Sequence, residues 1–182
     1  MPSANVWRGD GPASPLPNAL RTDIDAVKFQ PLGGGAAMTW AQSLDANYTD
    51  AIIVLHQGRV VYERYLGVMT PHSPHMAMSV TKSMFGTLGA MLVAEGRLDA
   101  NALVTKYVPE LAGSGWADAT VRQVLDMTTG LEYSENYADP QAEVWQHARA
   151  GGILPRSPGY AGPTSFYEFL RTVRKEGEHG QA

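Results

Sequence analysis

Met78-Ser79-Val80-Thr81-Lys82 is followed by Ser83-Met84-Phe85-Gly86-Thr87-Leu88-Gly89-Ala90-Met91-Leu92, and no charged residue follows Lys82 until Glu95. This predicts a helix from about Ser79 to Glu95, stopped at Gly96. It would be apolar all round, and such a helix is expected to be buried. Residues three apart share a helix face, roughly 5–6 Å apart at Cβ. Ser79 and Lys82 can therefore point into one pocket. A serine hydroxyl is a poor nucleophile until a base takes its proton. A lysine is that base only when neutral, a state favoured by burial and by the positive end of the helix dipole. The same N-terminal field would stabilise an oxyanion formed at Ser79. The competing readings are a serine that only caps the helix and a lysine that snorkels to the surface.

Composition narrows the classes. The chain has 182 residues and a net charge of −4, enough for one core and without a basic patch, so nucleic acid is not an expected partner. There is no cysteine, which excludes disulfides, thiol catalysis and thiolate zinc sites. The N-terminus Met1-Pro2-Ser3-Ala4-Asn5-Val6-Trp7-Arg8 lacks a signal pattern, and no apolar run reaches the length of a membrane span. A cytoplasmic protein without membrane partner, metal or cofactor is expected.

Residues 1–40 are rich in Pro, Gly, Ser and Ala and read equally as an extended arm over the domain surface or as a disordered tail, with 41–182 as the domain proper. Trp40 to Asn47 fits a short helix. Ala51–His56 and Arg59–Leu66 flank Gln57-Gly58, a strong hairpin signal. The first strand reads as buried on both faces, and the second alternates. Gly67 to Met78 is a loop. A short helix is expected at Thr105–Leu111. Thr120-Val121-Arg122-Gln123 fits a capping box for a helix ending at Gly130. Glu132–Pro163 reads as a long irregular stretch. Pro163-Thr164-Ser165 opens a helix with Phe166, Phe169, Leu170 and Val173 on one face. The end, from Lys175, reads as polar and glycine-punctuated.

Ser79-Val80-Thr81-Lys82 in its apolar helix resembles the active-site helix of the penicillin-recognising serine hydrolases, a superfamily that includes β-lactamases and DD-peptidases. Thr120–Leu131 is similar to the helix-and-turn block downstream of the nucleophile in class C β-lactamases and their esterase relatives. Val104–Ser114 and Glu132–Pro140 resemble the 6-aminohexanoate-dimer hydrolase and carboxylesterase branch more closely. The resemblance covers roughly residues 50–175. It implies an α/β fold of the α+β type, an antiparallel sheet flanked by helices, incomplete in this chain. It also implies an acyl-enzyme formed at Ser79 with Lys82 assisting, on small-molecule esters, linear amides or β-lactams. In the nylon-oligomer branch the tyrosine matching Tyr137 hydrogen-bonds the substrate amide nitrogen. Trp145 and His147 are further candidates for the pocket lining.

The departures are specific. No Tyr-x-Asn, Lys-Thr-Gly or His-x-Gly occurs. The resemblance therefore places the proton-shuttling tyrosine a few residues past Ala182, and residues 1–182 are expected to be inactive alone. Ala148 stands where branch members that bind the ammonium end of the amide dimer carry an acid, which favours an esterase. The alternative is a binding or scaffolding relative that kept the helix and lost turnover. His72 and His75 make a weak metal signal beside a solvated loop, and Asp126 and Glu143 read as ordinary exposed acids.

Overall fold

The computed structural model describes Val6 and residues 9–181. They divide into two compact units, one ending at Met76 and the other beginning at Ala77. In the first, β1 (Lys28–Phe29) pairs antiparallel with β2 (Met38–Thr39), which leads directly into α1 (Trp40–Ala46). Thr39 and Gln42 form a reciprocal capping box that satisfies two of the helix's orphan N–H groups. The hairpin follows as β3 (Ala51–His56) and β4 (Arg59–Tyr65), with His56 opposite Arg59. Gln57 (φ +48°) and Gly58 (φ +73°) both take left-handed backbone, which a two-residue loop needs to match strand twist.

Burial corrects half of the hairpin reading. β4 alternates, with Val60 and Tyr62 buried. β3 has no buried residue, and Ile53 and Leu55 are exposed. A two-stranded ribbon leaves such a strand open to solvent, whatever its composition. Residues 17–21 lie along β4. Val60 N–H donates to Pro17 O at 2.9 Å, and Ala19 N–H to Val60 O at 2.8 Å. Tyr62, only 1% exposed, packs edge-on to Trp40 at 6.3 Å. Its hydroxyl donates to Asp25, whose other oxygen accepts from Arg64 at 2.7 Å. These two hydrogen bonds, Tyr62 first, hold the Asp25 carboxyl below its usual range.

The second unit opens with α2 (Val80–Ala94), which stops at Gly96 in left-handed backbone (φ +69°). The limits fit the sequence reading, but the expected burial is absent. No α2 residue is buried, and Met84 and Phe85 are 66% and 69% exposed. An all-apolar helix is buried only where other residues cover it, and the described residues leave this one open. One close approach is made, where a Cβ on Gly89 would lie 2.9 Å from Leu125 Cδ2.

Two 3₁₀ turns, Val104–Lys106 and Pro109–Leu111, replace the single short helix expected at Thr105–Leu111. The Pro109 ring restricts Val108 to non-helical backbone and so divides them. α3 (Val121–Leu125) begins with the predicted Thr120/Gln123 capping box. It ends well before Gly130, because Met127 turns to φ +57°. The stretch read as irregular contains α4 (Glu143–Ala150), whose Val144 and Ala150 are buried. α5 (Phe166–Thr172) is capped by Ser165, whose Oγ accepts from Glu168 N–H at 3.2 Å. Phe169 and Val173 turn inward and pack with Ala150, Leu131 and Tyr133. Phe166, expected on that face, stays 45% exposed.

The open face of α2 gives a direct test. Residues 1–182 expressed alone are expected to bind a hydrophobic dye and to self-associate. Met84→Gln with Phe85→Gln should reduce both without loss of helicity by circular dichroism. Unfolding of the double variant would show that these side chains are buried.

Candidate active site

The chain enters α2 through Met78, whose φ of +47° is uncommon for a residue with a Cβ. Ser79 follows at the N-cap with φ −69° and ψ −12°, already helical. A capping serine normally takes extended backbone, which brings its hydroxyl back over the first N–H groups. Ser79 does not, and its side chain makes no capping hydrogen bond. Its Oγ instead lies 3.0 Å from Lys82 Nζ. The turn is closed by Lys82 N–H donating to Ser79 O at 2.9 Å. The i,i+3 geometry thus brings together the two residues that the sequence pairs. Both side chains are exposed, so the burial expected to neutralise the amine is not provided by the described residues.

The remaining candidates separate into two groups. Tyr137 meets Trp145 edge-to-face at 5.6 Å, and Trp145 Nε1 donates to Asp139 O at 2.8 Å. Tyr137 itself is 64% exposed. Neither is hydrogen-bonded to Ser79 or Lys82 among the described residues. His147 belongs to a different cluster. It stacks on Phe166 at 4.8 Å and meets Tyr133 and Phe169 edge-on at 6.1 and 5.4 Å. Burial among these rings holds its imidazole below the ordinary range, and the positive charge of Lys82 adds to the effect, while Glu135 opposes it. Lys82 and His147 therefore share one electrostatic environment. Tyr133 is pushed up to about 12, by burial first and then by Glu135.

Tyr133 and Phe166, and Glu135 through its charge, thus act on the candidate His147, and none of the three stands out in the sequence as a site candidate. Tyr133 and Glu135 lie in a stretch with no period to read. Glu143 is more than an exposed acid, since its carboxylate accepts Ser134 N–H at 3.0 Å and fixes the turn before α4. Asp126 is exposed and faces Arg122 at 3.7 Å. His75 pairs with Asp50 at 2.9 Å, and that hydrogen bond raises its pKa. Among the described residues no group of three potential ligands could hold a metal, and no helix is long and apolar enough to cross a membrane. A groove of about 350 Å³ between α2 and α3, lined by Gly86, Ala90, Val93, Arg122 and Leu125 among others, reaches neither Ser79 nor Lys82.

Residues 40–182 match the family described as Beta-lactamase. The chain belongs to the beta-lactamase family. Over 181 residues it is 40% identical to the 6-aminohexanoate-dimer hydrolase of Paenarthrobacter ureafaciens, covering all of this chain and 43% of that protein. A 72-residue stretch is 33% identical to a beta-lactamase of Yersinia enterocolitica, covering 38% of this chain and 18% of that protein. A solved structure from Bacillus anthracis, provisionally named a 6-aminohexanoate-dimer hydrolase, superposes with a TM-score of 0.80 at 32% identity. The match covers 92% of this chain and 43% of that one. The beta-lactamase/DD-peptidase-like fold expected from the sequence is the fold found, with small antiparallel sheets and helices, and the chain spans less than half the length of these relatives.

The coupling between Lys82 and His147 in this family member can be read by NMR. Lys82→Met removes one of the two causes that lower the His147 pKa, so the His147 Cε1–H titration should move up toward the ordinary histidine range. Burial favours neutral His147 in the folded state. Its contribution to stability is therefore full above the ordinary range and lost as pH falls through the lowered pKa. An unmoved titration would place Lys82 too far away to matter.

Proposed function

We propose that this beta-lactamase family chain carries the nucleophile and base of a serine hydrolase acting on small carboxylic esters, with linear amides and β-lactams as poorer substrates. The observation that supports it best is the 3.0 Å contact between Lys82 Nζ and a Ser79 hydroxyl released from capping. In this reading the neutral Lys82 amine takes the Ser79 proton as Oγ bonds to the substrate carbonyl carbon. The carbonyl π pair moves to oxygen, where the N-terminal end of α2 favours negative charge. Collapse expels the alkoxide or amine, which must gain a proton, and leaves an acyl group on Ser79. Water then releases the acid.

The family match over residues 40–182 supports the hydrolase class. The preference for esters rests on Ala148, which places no acid beside His147. Tyr137, Trp145 and His147 are proposed to line the acyl or leaving-group side. The acid for the leaving group is proposed to be a tyrosine outside these 182 residues, so turnover needs more than they contain.

A fluorophosphonate or penicillin probe should label Ser79 in the intact protein and fail on Ser79→Ala. Lys82→Met should slow labelling by about 10²–10⁴-fold. Labelling of Lys82→Met at the wild-type rate would assign the base to another group. No labelling of a protein whose circular dichroism is intact would overturn the reading. Residues 1–182 by themselves should show no turnover of p-nitrophenyl esters.

A further inference from the structure

His179 lies in the segment that reads from sequence as a polar tail, yet its side chain is only 3% exposed. Gly130 N–H donates to its Nδ1 at 3.0 Å. Nδ1 is therefore the unprotonated nitrogen, and Nε2 carries the hydrogen. That Nε2–H faces Gly115 O at 3.1 Å and Asp118 Oδ1 at 3.2 Å. The other Asp118 oxygen accepts from Lys175 at 2.6 Å. Both ring nitrogens are occupied, so neither is left to exchange a proton with a substrate.

The ring joins three separate segments. Gly130 O accepts from Glu176 and Gly177 N–H at 3.0 and 3.1 Å, and Glu132 N–H donates to Arg174 O at 2.9 Å. Leu131 thereby pairs antiparallel with Lys175. The approach is so close that a Cβ on Gly130 would lie 2.4 Å from Gly177 O. On the opposite side Gly115 N–H donates to Val173 O at 2.7 Å. Leu131 and Tyr133 leave this ladder to pack on Ala150, Phe169 and Val173, and Tyr133 meets His147 edge-on.

We infer that His179 is a positioning residue which, through Gly130, holds Leu131–Tyr133 in register and so fixes the aromatic wall around His147. That this wall borders the reactive site rests on the serine-hydrolase reading; the latch itself does not. Two variants divide the ring's functions. His179→Asn keeps an acceptor near the Nδ1 position, and His179→Gln keeps a donor near the Nε2 position while removing the acceptor for Gly130.

Both are compared by NMR in the full 182-residue chain carrying Met84→Gln and Phe85→Gln, which are expected to reduce self-association. In His179→Gln the Gly130 amide should exchange about tenfold faster, the loss of one buried hydrogen bond. The His147 Cε1–H titration should move up toward the ordinary range as Tyr133 loosens. His179→Asn should restore both signals. Unchanged Gly130 exchange in His179→Gln would overturn the latch. Faster exchange with an unmoved His147 titration would overturn its link to the wall, and failure of His179→Asn to restore either signal would assign the effect to general packing. Neither readout requires acylation, so failure of Ser79 to label leaves the outcome for His179 intact.

Discussion

The contact on which the site depends is the one between Lys82 Nζ and Ser79 Oγ, and it exists because of a backbone conformation. A serine beginning a helix has two mutually exclusive uses. In extended backbone its hydroxyl serves the first free N–H groups; in helical backbone it projects along the i,i+3 row. Met78 in left-handed backbone makes the sharp entry that delivers Ser79 already helical, so the hydroxyl meets the amine. The cost is a strained residue and an unused cap, both at the one place where chemistry is proposed.

What could be read from the sequence is what neighbouring residues decide among themselves. Gln57-Gly58 closes a hairpin because two consecutive residues accept positive φ. Thr39/Gln42 and Thr120/Gln123 start helices because each pair satisfies the other's backbone. Gly96 and Ser165 mark an end and a beginning for equally local reasons. The Ser79/Lys82 pair belongs with these, since three residues of helix settle it. Burial is a different quantity. The compositions of β3 and α2 demand cover, but composition does not say which residues give it, and among the described residues none fully buries a residue of either. His179 is the opposite case, a polar residue in a glycine-punctuated tail buried by partners 49 and 64 positions away.

The same distinction runs through the candidate pocket. Trp145 and His147 look like one unit in sequence, but residues two apart on a helix point to different sides. Trp145 accordingly turns to Tyr137 and His147 to the rings of Phe166 and Phe169. His147 is linked to Lys82 by charge rather than by contact, since the Lys82 charge disfavours a proton on the imidazole. Such coupling has no sequence signature. It follows only when α4 and α5 are placed, and Tyr133 packs against both.

Why two motif blocks, Ser79–Lys82 and Thr120–Leu131, occur in one chain then has a physical answer. α2 contributes no buried side chain, so it cannot be positioned by an apolar stripe as amphipathic helices are. It does make one close approach, at Gly89, where the missing Cβ lets Leu125 come to the helix backbone. Leu125 is the last residue of α3, a helix of five residues that would be marginal without its Thr120/Gln123 box. The second block thus touches the helix of the first. Its capping box orders one turn, that turn presents Leu125, and Leu125 meets the helix that carries Ser79. After Leu125 the chain breaks left-handed at Met127 and reaches Gly130 within three residues, where the His179 ring accepts the Gly130 N–H.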